Sequence, residues 1–359
     1  MLYDQRGVGF NRVNDDEFDL IDIGAYEANS STADIIFVVD HSSTMSAEID
    51  WLRTDSQAGL VGVSELLDSE LHARGVIAPQ FALLGFGSYA SPDVLGHIVP
   101  VSANNANFGS GAELAIAVNS LTLSDGFEDG YVAIDRALNS YDFRAKAPVN
   151  IVFVSDDDRE YSTTRDLTGD SDPTNDAAFL LQELQAHNAV LNVVVDATFT
   201  GTPAGVNDVI GVINEQGDYL VANGAGGYNL HVDAINPTVF IDQGTTFEDY
   251  VNLAWDSLGA TWDLNLLRSG GTLADSFTNA FVDIKAEEIA GIMLVENADF
   301  VASHFESVDI PGGNAIYLLD FSNLAFDDAG NTDSRDINDA FEIAIVRVDE
   351  TAASASTID

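Results

Sequence analysis

Asp34-Ile-Ile-Phe-Val-Val-Asp40-His-Ser42-Ser-Thr44-Met45 is the stretch that decides how this chain is read. Ile35 to Val39 are apolar without a break. A strand with no polar face is buried on both sides, as in a parallel sheet covered by helices. The run ends abruptly in an acid and two hydroxyls at alternate positions. Asp40, Ser42 and Thr44 then fall on the turn at the carboxyl end of the strand, where open α/β sheets place their ligands, and a helix can begin near Met45. One carboxylate and two hydroxyls make a hard, all-oxygen set suited to a divalent cation such as Mg²⁺. On the five residues alone, a turn capped by Ser42 or Thr44 is the simpler reading.

Two later segments reverse that reading. Asp125-Gly-Phe-Glu128-Asp129-Gly130-Tyr runs into a helix with apolar residues at Ala133, Ile134, Ala137 and Leu138. Val149-Asn-Ile-Val-Phe-Val154-Ser155-Asp156-Asp157-Asp158 is a second buried strand ending in acids. With the D-x-S-x-T turn, the middle loop and the late strand-end Asp in this order, the chain resembles a von Willebrand factor type A domain over residues 33–290. Glu128-Asp-Gly-Tyr131, Ser155-Asp-Asp-Asp-Arg159, Leu191-Asn-Val-Val-Val-Asp196 and Trp262-Asp-Leu-Asn-Leu-Leu-Arg268 are similar to stretches of bacterial extracellular versions. The resemblance implies a doubly wound domain that binds a partner through a metal at the top of its sheet. Carried over by position, Asp40, Ser42, Thr44 and Asp156 are the metal-site residues. The middle loop of that family offers a Thr where this chain has Glu128. Glu128 then either favours Ca²⁺, which accepts more oxygen ligands, or closes the site into a structural one, or faces solvent. Asp129, Asp157 and Asp158 read as surface acids, and His41 as turned away from the alternating ligands.

Composition narrows the partners. There are 59 acids against 13 bases, a formal net charge of −46, and the only lysines are Lys146 and Lys285. Nucleic acid and anionic membrane surfaces repel such a chain, so neither is expected as a partner. The acidity fits high salt, a calcium-containing medium outside the cell, or solubility alone. With 46% hydrophobic residues the chain can bury a core. Cysteine is absent, which removes disulfides and thiol chemistry. No apolar stretch reaches the ~20 residues that cross a bilayer, and Met1 to Gly7 carry no secretion signal, so an export address is expected on a longer parent chain.

The fold expected is α/β: a doubly wound, mostly parallel sheet flanked by helices, with short β segments at both ends. Residues 1–30 read as the tail of a β-helix-like region and a linker, because Asp4-Gln5-Arg6-Gly7 and Asp22-Ile23-Gly24-Ala25-Tyr26-Glu27 resemble the closing rung of bacterial right-handed β-helix proteins. Within 33–290, Leu60, Val63, Leu67 and Leu71 recur at helical spacing, Phe81 to Phe86 and His97 to Val101 suggest strands, and Val190 to Val195 is a long buried strand. Thr245-Thr-Phe-Glu248 resembles a capping box, and Leu273 to Ile289 an amphipathic helix with Phe277 and Phe281 on the sheet. Residues 291–359 read as a partial β-sandwich-like module with a disordered end. The loop Asp166 to Asp176 has alternating oxygen side chains but not EF-hand spacing, and reads first as an acidic loop and second as another Ca²⁺ site.

Three functions follow. The first is a metal-dependent adhesion module of an exported or cell-surface protein, with Mg²⁺ or Ca²⁺ completed by a carboxylate of a protein or acidic glycan. The second is a structural spacer with a closed Ca²⁺ site. The third, part of a carbohydrate-active enzyme, has least behind it, because His41, His72, His97, His187, His231 and His304 are scattered and form no H-E-x-x-H.

Overall fold

A computed structural model describes residues 32–310 apart from 56–58, 60, 92, 103, 105, 146, 163–165, 202–205, 214–217, 232–237 and 241–245, together with 314–319, 344–347 and 354–357. The chain divides into two units, Met1–Gly291 and Ile292–Asp359. The expected β-helix-like rung lies outside the described residues.

The apolar run is strand β1, Thr32–Asp40, and Ile35 to Val39 are fully buried. Each such side chain contributes roughly 1.5–3 kcal/mol by leaving water. Helices α1 (Ser46–Leu52) and α2 (Val63–Ala73) lead to β2 (Ala78–Phe86), then β3 (His97–Val99), β4 (Phe108–Gly109) and α3 (Gly111–Ala117). Next come α4 (Gly130–Ser140), β5 (Val149–Ser155), α5 (Pro173–Ala186) and β6 (Ala189–Val195). Strands β7 (Thr198–Gly201), β8 (Val206–Val212), β9 (Tyr219–Ala222), β10 (Tyr228–His231) and β11 (Thr238–Phe240) form an insertion before α6 (Asn252–Asp256). Next along the chain are β12 (Thr261–Asp263), α7 (Leu264–Arg268) and the long α8 (Gly271–His304).

The sheet runs β10-β9-β8-β12-β6-β5-β1-β2-β3. From β12 to β2 every neighbouring pair is parallel, and β3 closes the edge antiparallel. This is the mostly parallel, doubly wound α/β sheet expected. From β1 the chain winds outward through β2 to β3, and returns to the other side of β1 as β5. The strand order therefore reverses between β1 and β5, and their carboxyl ends open a crevice there. The insertion β7–β11 was not anticipated. It extends the sheet with antiparallel strands beyond β12, and Gly224 to Gly227 form the turn of its β9–β10 hairpin.

Both faces are covered. On one, Phe86 stacks on Phe153 at 5.5 Å and Tyr250 lies 4.6 Å from Phe153, beneath α4 with its buried Ala133, Ile134, Ala137 and Leu138. On the other, Trp51 and Trp262 each meet Phe281 at 5.2 Å, so α8 packs on the sheet through the two phenylalanines as expected. At the amino end of β1, fully buried Asp34 accepts from Arg144 Nε at 2.7 Å and from its backbone N–H at 2.8 Å. The two aspartates that bracket the run thus serve opposite ends: Asp34 pins the bottom of the sheet, and Asp40 reaches the crevice at the top.

The expected capping box at 245–248 lies partly outside the described residues. The chain there makes a π-helical turn, Phe247–Val251, that continues into α6. In the second unit Phe305–Ile310 pairs antiparallel with Asn314–Leu319, and Ala344–Arg347 with Ser354–Thr357.

Candidate metal centre

Asp40 ends β1 and is fully buried. Its carboxylate accepts the Ser42 N–H at 2.8 Å on Oδ1 and the Ser155 hydroxyl at 2.9 Å on Oδ2, so both donors are neutral. The first bond is the local reason for the turn, since an Asp side chain readily accepts from the N–H two residues on. Ser42 and Thr44 hydroxyls lie 3.1 Å apart, and Thr44 donates to Asp156 Oδ1 at 3.1 Å. Four of the five residues expected at the site are therefore joined through Ser42, Thr44 and Asp156 to Asp40, across the switch point between β1 and β5.

Asp156 carries a second contact that sequence reasoning missed. Arg268, at the end of α7, donates to Asp156 Oδ2 at 2.7 Å and through Nε to Glu48 Oε1 at 2.7 Å. Glu48, on α1, is fully buried. Both oxygens of Asp156 are thereby engaged, one by a hydroxyl and one by a guanidinium. The signal in the sequence was slight: Arg268 closes one of the stretches that carry the family resemblance, with no charge pattern to mark its partner.

Glu128 does not face solvent. It is 8% exposed, and its carboxylate lies with those of Asp40 and Asp157, the ligand oxygens all within 4.8 Å of one another. Its backbone is held by Glu160, whose side chain accepts from Glu128 N at 3.0 Å and whose N–H donates to Glu128 O at 2.8 Å. Gly87 makes room for the group. It has φ +82°, and a Cβ there would stand 2.4 Å from Asp40 Oδ1 and 3.1 Å from Glu128 Cγ. Burial raises the Asp40 carboxyl from 3.8 to about 7, opposed by the Ser42 and Ser155 hydrogen bonds. Burial, then Asp157 and Asp40, raise the Glu128 carboxyl further still. Such crowding of carboxylates calls for a cation or a proton.

Two of the acids read as surface groups behave otherwise. Asp129 is fully buried, caps α4 by accepting from Val132 N, and pairs with Arg159 Nε at 3.0 Å. Arg159 lies over the Tyr131 ring at 4.2 Å and also pairs with buried Asp176. Asp157 is exposed, as expected of a surface acid, but belongs to the carboxylate trio. His41 does turn away: its Nδ1 meets Thr122 O at 2.8 Å, and burial lowers it to about 4. Acids of the Asp166–Asp176 loop accept hydrogen bonds from the loop's own backbone. Asp166 accepts from Thr168 N at 3.1 Å, Asp170 from Asp172 N at 2.8 Å, and Asp176 from Leu167 N at 3.1 Å. Among the described residues, Asp40, Glu128 and Asp157 are the group of three side chains placed to share a metal ion.

The crevice beside the trio holds about 600 Å³ and is lined by Asp125, Asp158, Arg159, Glu160, Asp196 and Thr246 with Glu128, Asp156 and Asp157. An oxygen-rich, anionic pocket at a sheet's switch point can hold a hard divalent cation and present it to a partner.

The chain matches no family model and no curated protein. Solved structures do resemble it. A von Willebrand factor type A protein from Catenulispora acidiphila is 12% identical over 46% of this chain and 33% of its own, with a TM-score of 0.28. Similar structures of this chain include von Willebrand factor type A domains. Another is the vWF domain of the type V pili tip protein Mfa5 from Porphyromonas gingivalis, 16% identical over 44% of this chain and 51% of its own, with a TM-score of 0.27. BatB from Bacteroides thetaiotaomicron is 12% identical over 73% of this chain and 99% of its own, with a TM-score of 0.36. The von Willebrand factor type A likeness is thus one of low identity and low TM-score, and the doubly wound fold rests on the strand order itself.

Proposed function

We propose that residues 33–290 form a von Willebrand factor type A-like, metal-dependent adhesion module of an exported or cell-surface protein, and that the cation at the β1/β5 switch point completes its shell with a carboxylate from a partner protein or an acidic glycan. The observation that carries this reading is the meeting of Asp40, Ser42, Thr44 and Asp156, from two strand ends, beside an open acidic crevice. A strongly anionic face repels an acidic partner unless a cation stands between them, so metal dependence and partner binding are coupled. No helix among the described residues is long and apolar enough to cross a membrane.

A second reading, a structural spacer with a closed Ca²⁺ site, is favoured by the buried Glu128 carboxylate facing Asp40. One experiment addresses both. The full chain and its Asp40→Ala variant are melted with Mg²⁺, Ca²⁺ or chelator, and then passed over immobilised acidic and neutral glycans under the same conditions. At about 100 times the dissociation constant, the cation should add about 2.7 kcal/mol to wild type and nothing to the variant. Capture on acidic glycan that chelator abolishes supports adhesion. Stabilisation without capture by any acidic surface supports the spacer, and no metal effect on either protein removes both readings.

A further inference from the structure

Within the metal-binding reading just given, the three carboxylates nearest one another are not the set that the sequence resemblance selects. Asp156 has spent both oxygens, on Thr44 at 3.1 Å and on Arg268 at 2.7 Å. Its charge is matched by a guanidinium that also neutralises the buried Glu48. Glu128 is the reverse case. It is 8% exposed, and the side chains that act on its carboxyl are acids: Asp157, within hydrogen-bond reach, and Asp40. What it faces is Asp40, fully buried with only neutral donors, and Asp157. Two buried carboxylates and an exposed third therefore point at one another with no positive charge among them. Gly87 keeps that space clear, because any larger residue would put its Cβ into Asp40 Oδ1.

We propose that the cation is held directly by the Asp40, Glu128 and Asp157 carboxylates, with Asp156 acting through Thr44 as a positioning residue, and that this trio prefers Ca²⁺ to Mg²⁺. The donor atoms all lie within 4.8 Å of one another, so one cation can reach all three. Three anionic oxygen ligands, one of them on an exposed loop residue, suit the ion that accepts more and less regular ligands.

The test is calorimetric titration of the full chain with Ca²⁺ and with Mg²⁺ in about 1 M KCl, where a screening length of about 3 Å suppresses diffuse cation binding to the acidic surface. Wild type is compared with Asp157→Asn, Glu128→Gln and Asp156→Asn. Asp157→Asn should weaken Ca²⁺ by about tenfold or more and Mg²⁺ by less, as should Glu128→Gln, because each removes one anionic ligand. Asp156→Asn should leave Ca²⁺ affinity within about threefold, since that charge is already matched by Arg268. Asp157 is exposed, so its variant folds and decides the question by itself. Unchanged Ca²⁺ affinity in Asp157→Asn, or tighter wild-type binding of Mg²⁺ than of Ca²⁺, overturns the trio while leaving the metal-dependent module standing. Absence of any saturable cation binding in wild type overturns both.

Discussion

Asp40→Asn should stabilise the cation-free protein, and the sign of the effect tests the electrostatics of the site. Asp40 is fully buried among carboxylates, and burial raises its carboxyl from 3.8 to about 7. An acid raised on folding binds its proton more tightly in the native state. Its contribution to stability is then greatest at pH below 3.8 and is lost as pH rises through about 7. The loss approaches about 1.4 kcal/mol per pH unit and totals about 4 kcal/mol once the group is ionised. Asn removes that charge in nearly the same shape. Its single carbonyl can serve only one of the two donors, the Ser42 N–H or the Ser155 hydroxyl, and stranding the other costs about 1–2 kcal/mol. The variant should therefore exceed wild type by about 2–3 kcal/mol at pH 8 in chelator, with the advantage shrinking by pH 5. Saturating Ca²⁺ should erase it, because wild type alone gains about 2.7 kcal/mol at 100 times the dissociation constant. Urea unfolding followed by tryptophan fluorescence reads this directly, since Trp51, Trp255 and Trp262 all lie in the first unit. An Asn variant less stable than wild type at pH 8 in chelator would refute the reasoning.

Four further variants have expected outcomes. Arg268→Met strands buried Glu48 and Asp156 at once, and should cost about 3 kcal/mol in urea unfolding. Gly87→Ala places a Cβ 2.4 Å from Asp40 Oδ1 at φ +82° and should both destabilise the fold and weaken Ca²⁺ in calorimetry. Gly75→Ala, at φ +89° with open space around it, should cost only about 1–2 kcal/mol of backbone strain and leave Ca²⁺ binding alone. Arg159→Met leaves Asp129 and Asp176 buried without their shared cation. It should cost about 3–5 kcal/mol, checked by thermal melting in chelator so that metal effects do not enter.

Much of the architecture was legible in the chain because burial on both faces leaves a mark that needs no neighbours to read. Ile35 to Val39 and Val149 to Val154 carry no polar residue on either face except Asn150, and each ends in acids, which fixed parallel strands and their functional ends together. The helix after Gly130 was legible from its apolar spacing, and the turn at Asp40 from its side-chain acceptor. The insertion β7–β11 was not, since short strands in polar, Gly-bearing sequence lack both signals.

The candidate site divided in the same way. Local order along the chain determined that Asp40, Ser42 and Thr44 share one turn, and that Asp156 ends a neighbouring buried strand. Which carboxylates face one another was decided only by the tertiary structure, because it depends on side chains delivered from separate elements. Arg268 arrives from α7 to occupy Asp156, 112 residues distant, while the Glu128 loop brings its carboxylate over Gly87 to Asp40. Asp129 and Asp157 each follow another acid in the chain, yet one is buried against Arg159 and the other stands exposed at the trio. Sequence fixes the charge of a residue and the local backbone it prefers; whether that charge meets a guanidinium, a carboxylate or water is set by packing across the sheet's switch point.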